Sequence, residues 1–387
     1  MSPFLHTRRF ILTIVAGLTF SLGMAFVAAQ DQKPEAGDKA EKKEKTSADS
    51  SKASKAKKDK DLKPFPEGPL EKQYVEKIGP DYKVRRTDHF FVLYNTEEQV
   101  LKEFIDRIER TYDSVHRFAV KMGIQITYPQ EKLPVIFCET FDQYSQGAHL
   151  FGGQAAPAEA AGLYFPSANF SIFYNMANSD YIKGKTNEAK AKQNEARTSR
   201  DPNAKRSLSK QAQYILNEME NFSERNNKSV VQHEVAHQLL HNFDVHRRNV
   251  FNPSWFVEGL ATLFEPPPTA GVGAGFNITN QYRLWRLRER IEKDQVMDLA
   301  ELIKTREMLA DGDRNYCHAW GLTCYISKYK KKEMQQYVEL IKQRKPKTPV
   351  TPEQELADFE KCFGRLDEAF KTKWVKFIKE LQYRPPR

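Results

Sequence analysis

Two histidines and a glutamate in the stretch His233-Glu234-Val235-Ala236-His237 constrain this chain more than any other feature. Residues four apart on an α-helix lie one above the other on the same face, so both imidazoles can converge on one ion. Glu234 follows His233 about 100° further round the helix, where it stands beside the ion without being a ligand. The stretch therefore predicts a zinc site on a helix, with Glu234 placed as a general base.

The residues around this stretch predict where its helix begins and how it is buried. Ser229 and Gln232 fit the capping-box pattern immediately before the first histidine, so we expect the helix to begin at Ser229. The apolar side chains that would bury it are Val231, Val235, Leu239 and Leu240. His233 and His237 then face a cleft.

A second helix is predicted after one short loop. Asn252 can cap it and Pro253 suits its first position. Its apolar anchors are Trp255, Leu260 and Phe264. These anchors would hold Glu258 toward the first helix, and Gly259 permits a close approach of the two backbones.

The second helix also carries a family resemblance. Twenty residues separate His237 from Glu258. The stretch Trp255-x-x-Glu258-Gly259-x-Ala261 resembles the third-ligand motif of the gluzincin metallopeptidases, the group of thermolysin and the zinc aminopeptidases. The resemblance covers roughly residues 161–326 and is greatest to exported families of undefined substrate. It implies a zincin-like (thermolysin-like) catalytic domain in which His233, His237 and Glu258 bind Zn2+.

The same resemblance implies a substrate site and an oxyanion donor. An edge strand within residues 163–174 would bind an extended peptide beside the metal helix. The substrate-binding candidates are Leu163, Tyr164, Phe173 and Tyr174. Tyr316 is the expected donor to the tetrahedral intermediate, and His318 is the alternative.

Other acidic and histidine residues offer alternatives near the metal helix. His241 lies one turn beyond His237, but ligands on three successive turns of a straight helix would diverge from one ion. His246 falls in the loop and remains an alternative third ligand. Asp244 and Glu265 are candidates to orient a ligand histidine through its other ring nitrogen.

These parts predict a zinc metallopeptidase that hydrolyses peptide bonds. Glu234 would take a proton from the attacking water and pass it to the leaving amine. The Gly-x-Met-Glu-Asn motif with which the aminopeptidases recognise a free amino terminus does not occur before His233, which favours an endopeptidase. The alternative is a non-catalytic zincin-fold binding protein of the cell envelope, which would have no need of Glu234.

The N-terminus predicts export. Arg8-Arg9, the uncharged run from Phe10 to Val27 and the small residues Ala28-Ala29 match a signal peptide of about residues 1–29. The protein would then be periplasmic, envelope-bound or secreted, and would touch a membrane only if the run remains as an uncleaved anchor. Residues 30–68 are nearly all charged or small, and we expect a disordered linker with order beginning near Leu70.

Apolar periodicity predicts an α+β fold. The expected strands are 88–94 and 132–138, a hairpin lies within 161–174, and a long amphipathic helix follows Thr96. After residue 281 the expected helices are 282–292, 316–328, 332–342 and 358–381. We divide the chain into a zincin-like α/β catalytic lobe at 69–280 and a helical C-terminal subdomain at 281–387.

The formal charge of +10 sits largely in two low-complexity stretches. One is an insertion at about residues 178–210, with nine Lys or Arg against three acids between Lys183 and Lys210, and we expect it to be flexible and solvated. Because aromatic residues do not alternate with these basic ones, nucleic acid is not an expected partner. The four cysteines, Cys138, Cys317, Cys324 and Cys362, lack metal-knuckle spacing, and either a disulfide to Cys362 or Cys138 or four free thiols would fit.

Overall fold

The computed structural model describes residues 63–157, 160–266 and 276–384. The predicted signal peptide and the part of the predicted linker up to residue 62 lie outside the described residues. The strands are β1 Lys83–Arg86, β2 Phe90–Tyr94, β3 Leu133–Cys138, β4 Gly162–Phe165 and β5 Phe170–Tyr174. The helices before residue 280 are α1 Pro69–Ile78, α2 Glu98–Met122, α3 Phe141–Gly152, α4 Asp180–Thr198, α5 Pro202–Asn242 and α6 Ser254–Thr262. Those after it are α7 Gln281–Glu292, α8 Leu299–Lys304, α9 Gly312–Tyr329, α10 Lys331–Lys342, α11 Pro352–Phe363 and α12 Glu368–Glu380.

The five strands form one mixed sheet in the order β1-β2-β3-β5-β4. Strands β2, β3 and β5 run parallel, while β1 and β4 pair antiparallel at the two edges. The two predicted strands and the hairpin are confirmed. The sequence missed β1 because three of its four residues are basic, Lys83, Arg85 and Arg86, and none of the four is buried.

The central strands are buried on both faces. Phe90, Val92 and Tyr94 point into a core shared with α2 and α5. Phe91 and Leu93 point to the opposite face, where the helix residues of α3 cover them. Because successive side chains alternate across a strand, one sheet supplies both cores. With its helical C-terminal part, the described chain is an α+β fold.

Order begins before Leu70, which corrects the boundary predicted at residue 68. Phe65 is buried and packs edge-on against the rings of His89, at 4.9 Å, and Tyr112, at 5.4 Å. Its N–H donates to the carbonyl of Asp88. One aromatic residue is therefore enough to tie the end of the charged stretch to the core.

The basic insertion is helical, contrary to the prediction of a flexible stretch. Residues 180–198 form α4, and α5 then runs for 41 residues from Pro202 to Asn242. Small residues lie at the contact between the two helices, where Ala189 and Ala212 are fully buried. Their alanine-rich faces were hidden in the sequence by the surrounding lysines.

Both predicted helix starts at the metal site are wrong. Ser229 lies inside α5, whose cap is Asp201, because the upstream residues continue the helix without a break. The second helix, α6, begins at Ser254 after Pro253. Asn252 instead braces the preceding loop, with its side chain accepting from the N–H of Arg247 at 3.2 Å and donating to the Arg247 carbonyl at 2.8 Å.

The C-terminal part packs on the rest of the chain through one continuous core. The buried cluster that contains Phe90 and Val92 also contains Leu284, Trp320 and Trp374, so it crosses the boundary predicted at residue 280. The single helix expected at 358–381 is two helices, since the chain turns at Gly364 with φ 91°. All four cysteines are free. Among the helices described, none is both long and apolar enough to cross a membrane.

Candidate metal centre

The side chains of His233, His237 and Glu258 meet in the interior, between α5 and α6. His233 Nε2 lies 3.0 Å from His237 Nε2 and 3.2 Å from Glu258 Oε2, and His237 Nε2 lies 3.4 Å from the same oxygen. All three residues are at most 5% exposed. The structure thus brings together the three residues that the resemblance implies as ligands, and within the described residues they form the one group of side chains that could hold a metal ion.

This triangle fits a small tetrahedral ion. Two ligand atoms at about 2.1 Å from a tetrahedral ion lie roughly 3.4 Å from each other. Of the three separations, 3.4 Å equals that value and 3.2 and 3.0 Å are slightly shorter. Two imidazole nitrogens and one carboxylate oxygen are a donor set that zinc accepts, and three protein ligands leave the fourth position open.

The electrostatics of the site favour a positive charge between the ligands. Burial lowers the pKa of His233, but the hydrogen bonds that its ring nitrogens make to the Glu258 and Glu265 carboxylates outweigh burial and raise it to about 10. Burial would raise the pKa of Glu258, yet His237 and His233 lower it to about 2. Both shifts have the same cause, since the two carboxylates lie against the imidazoles, and a cation bound between these side chains would be stabilised by the same negative charge.

Glu265 orients His233 from the far side of its ring, as predicted. His233 Nδ1–H donates to Glu265 Oε1 at 3.1 Å, which leaves the Nε2 lone pair for a metal. Arg283 holds the Glu265 carboxylate with two bonds, Nη2 to Oε1 at 2.9 Å and Nε to Oε2 at 3.1 Å. Asn280 Nδ2 donates to Oε2 at 2.7 Å. Every member of this chain of contacts is buried.

Glu234 lies beside the ligands and binds to the edge strand. The Tyr164 N–H donates to Glu234 Oε2 at 2.9 Å. Burial raises the pKa of Glu234 to about 8, and the charge of Glu258 adds to the rise. A cation held by the neighbouring imidazoles would favour its carboxylate form. The arrangement gives a carboxyl group that can take and return a proton next to the metal position.

Of the two candidate oxyanion donors, the site contains Tyr316. Its ring centroid lies 6.2 Å from that of His233, and its buried hydroxyl makes no hydrogen bond with the described residues. Burial, reinforced by Glu258 and Glu234, raises its pKa well above 10, so the hydroxyl keeps its proton. The protonated hydroxyl lies close enough to interact with the Glu258 carboxylate, so it is a donor on the side of the three clustered side chains.

His318 points away from the metal ligands and has a structural role. The Met297 N–H donates to its Nε2 at 3.0 Å, and its Nδ1–H donates to the Arg314 carbonyl at 2.7 Å. Its ring stacks on Trp374. Both ring nitrogens are satisfied by backbone groups, so the structure favours Tyr316 over the alternative donor His318.

His241 and His246 lie next to the site but outside the ligand group. Their ring centroids are 5.4 Å apart, and burial lowers the pKa of both. They are therefore neutral. Asp244 is on the surface, 3.6 Å from the guanidinium of Arg247, and does not reach a ligand histidine.

The predicted substrate strand is an edge strand, but only some of the predicted substrate-binding residues lie near the site. Among the described strands, β4 has β5 as its neighbour in the sheet. Tyr164 contacts Glu234 through its backbone, whereas the Leu163 side chain is buried on the opposite face. Phe173 and Tyr174 belong to the internal strand β5 and are core residues. The structure does not bring these last two to the site.

Helix α6 is fixed to its neighbours at Gly259. An added Cβ there would lie 2.2 Å from Thr323 Oγ1 and 2.9 Å from the Ala319 carbonyl oxygen, so α6 and α9 are in close backbone contact. Gln232 ties α5 to the segment after α6, with its Nε2 donating to the carbonyl of Phe264 at 2.9 Å. The position of Glu258 is therefore set by packing on both sides.

Arg283 and Asn280 are the site residues that sequence reasoning missed. Both come from the start of α7, in the part of the chain assigned to a separate helical subdomain. Arg283 is 1% exposed. An arginine in an amphipathic helix rich in basic residues gives no local sign that it will be buried against a carboxylate.

Comparison with known proteins gives a partial match. The family described as "Protein of unknown function (DUF1570)" matches residues 227–348, less than half of the chain. This segment includes the three ligand residues, Glu234 and Tyr316. No curated protein matches the chain.

Proposed function

We propose that this chain is a zinc-dependent metallopeptidase with a zincin-like catalytic domain. The observation that carries the proposal is the buried triangle of His233, His237 and Glu258, with separations of 3.0–3.4 Å. The carboxyl group of Glu234 lies directly beside this triangle. A purely structural metal site would not need a carboxyl group there. The resemblance to gluzincins in the two motifs supports the same conclusion.

Each residue has a distinct part in hydrolysis. His233, His237 and Glu258 would hold the zinc, which when bound would supply an activated water and a Lewis acid for the substrate carbonyl. Glu234 accepts the proton of the attacking water and then protonates the leaving amine. The Tyr316 hydroxyl donates to the oxyanion as it develops. Glu265 keeps His233 in the tautomer that binds metal.

The substrate is best read as an extended polypeptide cleaved internally. Strand β4 is an edge that an extended chain can join, and its Tyr164 already contacts the general base. The absence of the aminopeptidase amino-terminus motif before His233 favours an endopeptidase. The signal-peptide pattern supports action outside the cytoplasm. A non-catalytic binding protein of the cell envelope is the competing proposal.

The test compares Glu234→Gln with the wild type. We expect the variant to keep its zinc and to lose peptide hydrolysis by roughly 100-fold or more, because a general base typically contributes about 10²–10⁴-fold. Zinc content is measured by atomic emission and hydrolysis with a quenched fluorescent peptide library. Glu220→Gln, at an exposed position on the same helix, is the matched control. Equal hydrolysis by Glu234→Gln and the control would contradict the proposal.

A further inference from the structure

We infer that Arg248 binds a carboxylate of the substrate, so that the enzyme prefers peptides with a negative charge close to the scissile bond. The inference rests on the proposed peptidase function and adds the class of substrate. It comes from an exposed arginine beside the edge strand whose contacts are all with neutral groups.

The guanidinium of Arg248 is fixed against the β4–β5 hairpin. Its Nε donates to the Pro166 carbonyl at 3.0 Å. Its Nη2 donates to the Tyr164 hydroxyl at 3.1 Å and to Asn169 Oδ1 at 2.6 Å. Asn169 is itself bonded to Asn242 of α5, so the acceptors are held in place. The arginine is thus pre-organised before any ligand arrives.

The positive charge of Arg248 is not neutralised by its surroundings. Within the described part of the chain, Arg248 has no carboxylate within ion-pair distance. The nearby Asp244 forms an ion pair with the neighbouring Arg247 instead. Tyr164 and His241 are close to it, and burial keeps both neutral by raising the pKa of Tyr164 to about 12 and lowering that of His241. The Nη1 group makes no hydrogen bond to a described residue and Arg248 is exposed. A planar cation with free donors binds carboxylates well.

Its place on the strand sets the distance from the reaction. Tyr164 meets Glu234 through its N–H, and Pro166 lies two residues further along. At about 3.3 Å per residue, the guanidinium is roughly 7 Å along the strand from that contact. A substrate lying along β4 would bring to Arg248 a group within about one to three residues of the bond that is cleaved.

Two sources could supply this carboxylate: an acidic side chain or the C-terminus of the peptide. The experiment measures kcat/KM for paired peptides. One set places Glu or Gln at each of the three positions on either side of the scissile bond, and the other compares the free acid with the amide at a C-terminus one to three residues beyond it. We expect the charged member of at least one pair to be preferred by roughly tenfold or more, since hydrogen bonds to charged groups are of that strength.

The decisive quantity is the ratio of kcat/KM for the charged peptide to kcat/KM for its neutral partner, measured in Arg248→Gln. We expect it to fall to about one, and Arg248→Lys to keep part of it. The matched control is Arg247→Gln, which should keep the wild-type ratio. A merely structural arginine would lower kcat/KM for both peptides of a pair and leave their ratio unchanged, which would overturn the inference.

The remaining outcomes separate the two proposals. Hydrolysis by the wild type with ratios near one for every pair overturns the role of Arg248 and leaves the peptidase assignment standing. A lack of hydrolysis of all peptides by the zinc-loaded wild type overturns both. A preference in the side-chain set identifies an internal acidic residue as the ligand, and a preference in the free-acid set identifies the C-terminus.

Discussion

His233 is held on both sides of its ring, toward Glu258 by Nε2 and toward Glu265 by Nδ1. The second contact decides which nitrogen can bind a metal, because the nitrogen that donates a proton to a carboxylate leaves the other with its lone pair. Arg283 neutralises the buried charge of Glu265. The proposed metal site would therefore depend on residues that do not touch the metal.

Glu265→Gln tests this dependence. The amide oxygen still accepts from His233 Nδ1 but without a charge, so we expect zinc affinity to fall by about 10- to 100-fold. Affinity is measured by competition with a chromophoric chelator, which does not require activity. The matched control is Glu355→Gln, another buried carboxylate, paired with Arg344 at 2.9 Å and remote from the site. It should lower stability and leave zinc affinity unchanged; an unchanged affinity in Glu265→Gln would show that His233 needs no orienting partner.

His318 gives a pH prediction away from the metal. Burial lowers its pKa from 6.5 to about 4. The stabilisation that neutral, buried His318 gives to the folded state is therefore complete above pH 6.5. It is lost as the pH falls toward 4, because the unfolded chain then binds a proton that the folded chain does not. The loss amounts to about 3 kcal/mol in the free energy of unfolding.

His318→Gln should remove this part of the pH dependence. Denaturant unfolding at pH 7.5 and pH 4 measures it, and the variant should lose about 3 kcal/mol less than the wild type between the two. His149→Gln, at an exposed position on α3, is the control and should behave as the wild type. Identical pH dependence in His318→Gln and wild type would contradict the assigned role.

At the residue scale, what the sequence could predict was local. His233, His237 and Glu234 follow from the helical repeat, and Glu258 and Tyr316 from the resemblance to the gluzincins. Arg283 could not be predicted, because its partner Glu265 reaches it only after α7 has folded back on the segment after α6. His318 was ambiguous for the same reason, since its partners Met297 and Arg314 are backbone groups.

At the scale of elements, the metal helix is longer than its motif suggests. Helix α5 is 41 residues long. Its first part packs against α4 through buried alanines, and its last part carries both histidines. The sequence pattern placed its start at Ser229 because a capping box is also compatible with a helix interior. The packing of α4 on α5 decides where the helix begins, and the local sequence around Ser229 carries no sign of that packing.

Gly259→Ala tests the packing of α6 on α9. The new methyl group would lie 2.9 Å from the Ala319 carbonyl oxygen, so α6 must move and carry Glu258 with it. We expect the free energy of unfolding to fall by about 1–3 kcal/mol, and zinc affinity to fall as well. Both are measured on the purified protein, by denaturant unfolding and by chelator competition.

Gly184→Ala is the matched control. It lies in α4 and an added Cβ would meet no atom within 4 Å. Because alanine is the better helix former, we expect a gain of about 0.5–1 kcal/mol and no change in zinc affinity. If Gly259→Ala were as stable as this variant, the close contact between α6 and α9 would not hold the site.

At the scale of the whole molecule, the sheet, the metal helix and the C-terminal helices share one core. The sequence predicted the fold class, most of the elements and the three side chains that meet between α5 and α6. It also divided the chain at residue 280, but Arg283 and Tyr316 enter the site from beyond that point. The secondary structure changes at residue 280, from mixed strands and helices to helices, but the buried core continues across this boundary.

The central claim is that this buried centre hydrolyses peptide bonds with a bound metal. The most direct measurement is the cleavage of a denatured protein mixture by the purified chain, followed by mass spectrometry before chelation, after chelation, and after zinc is added back. We predict internal cleavage that stops on chelation and returns with one equivalent of zinc. Cleavage that persists without metal, or a zinc-loaded chain that cleaves nothing, would contradict the claim.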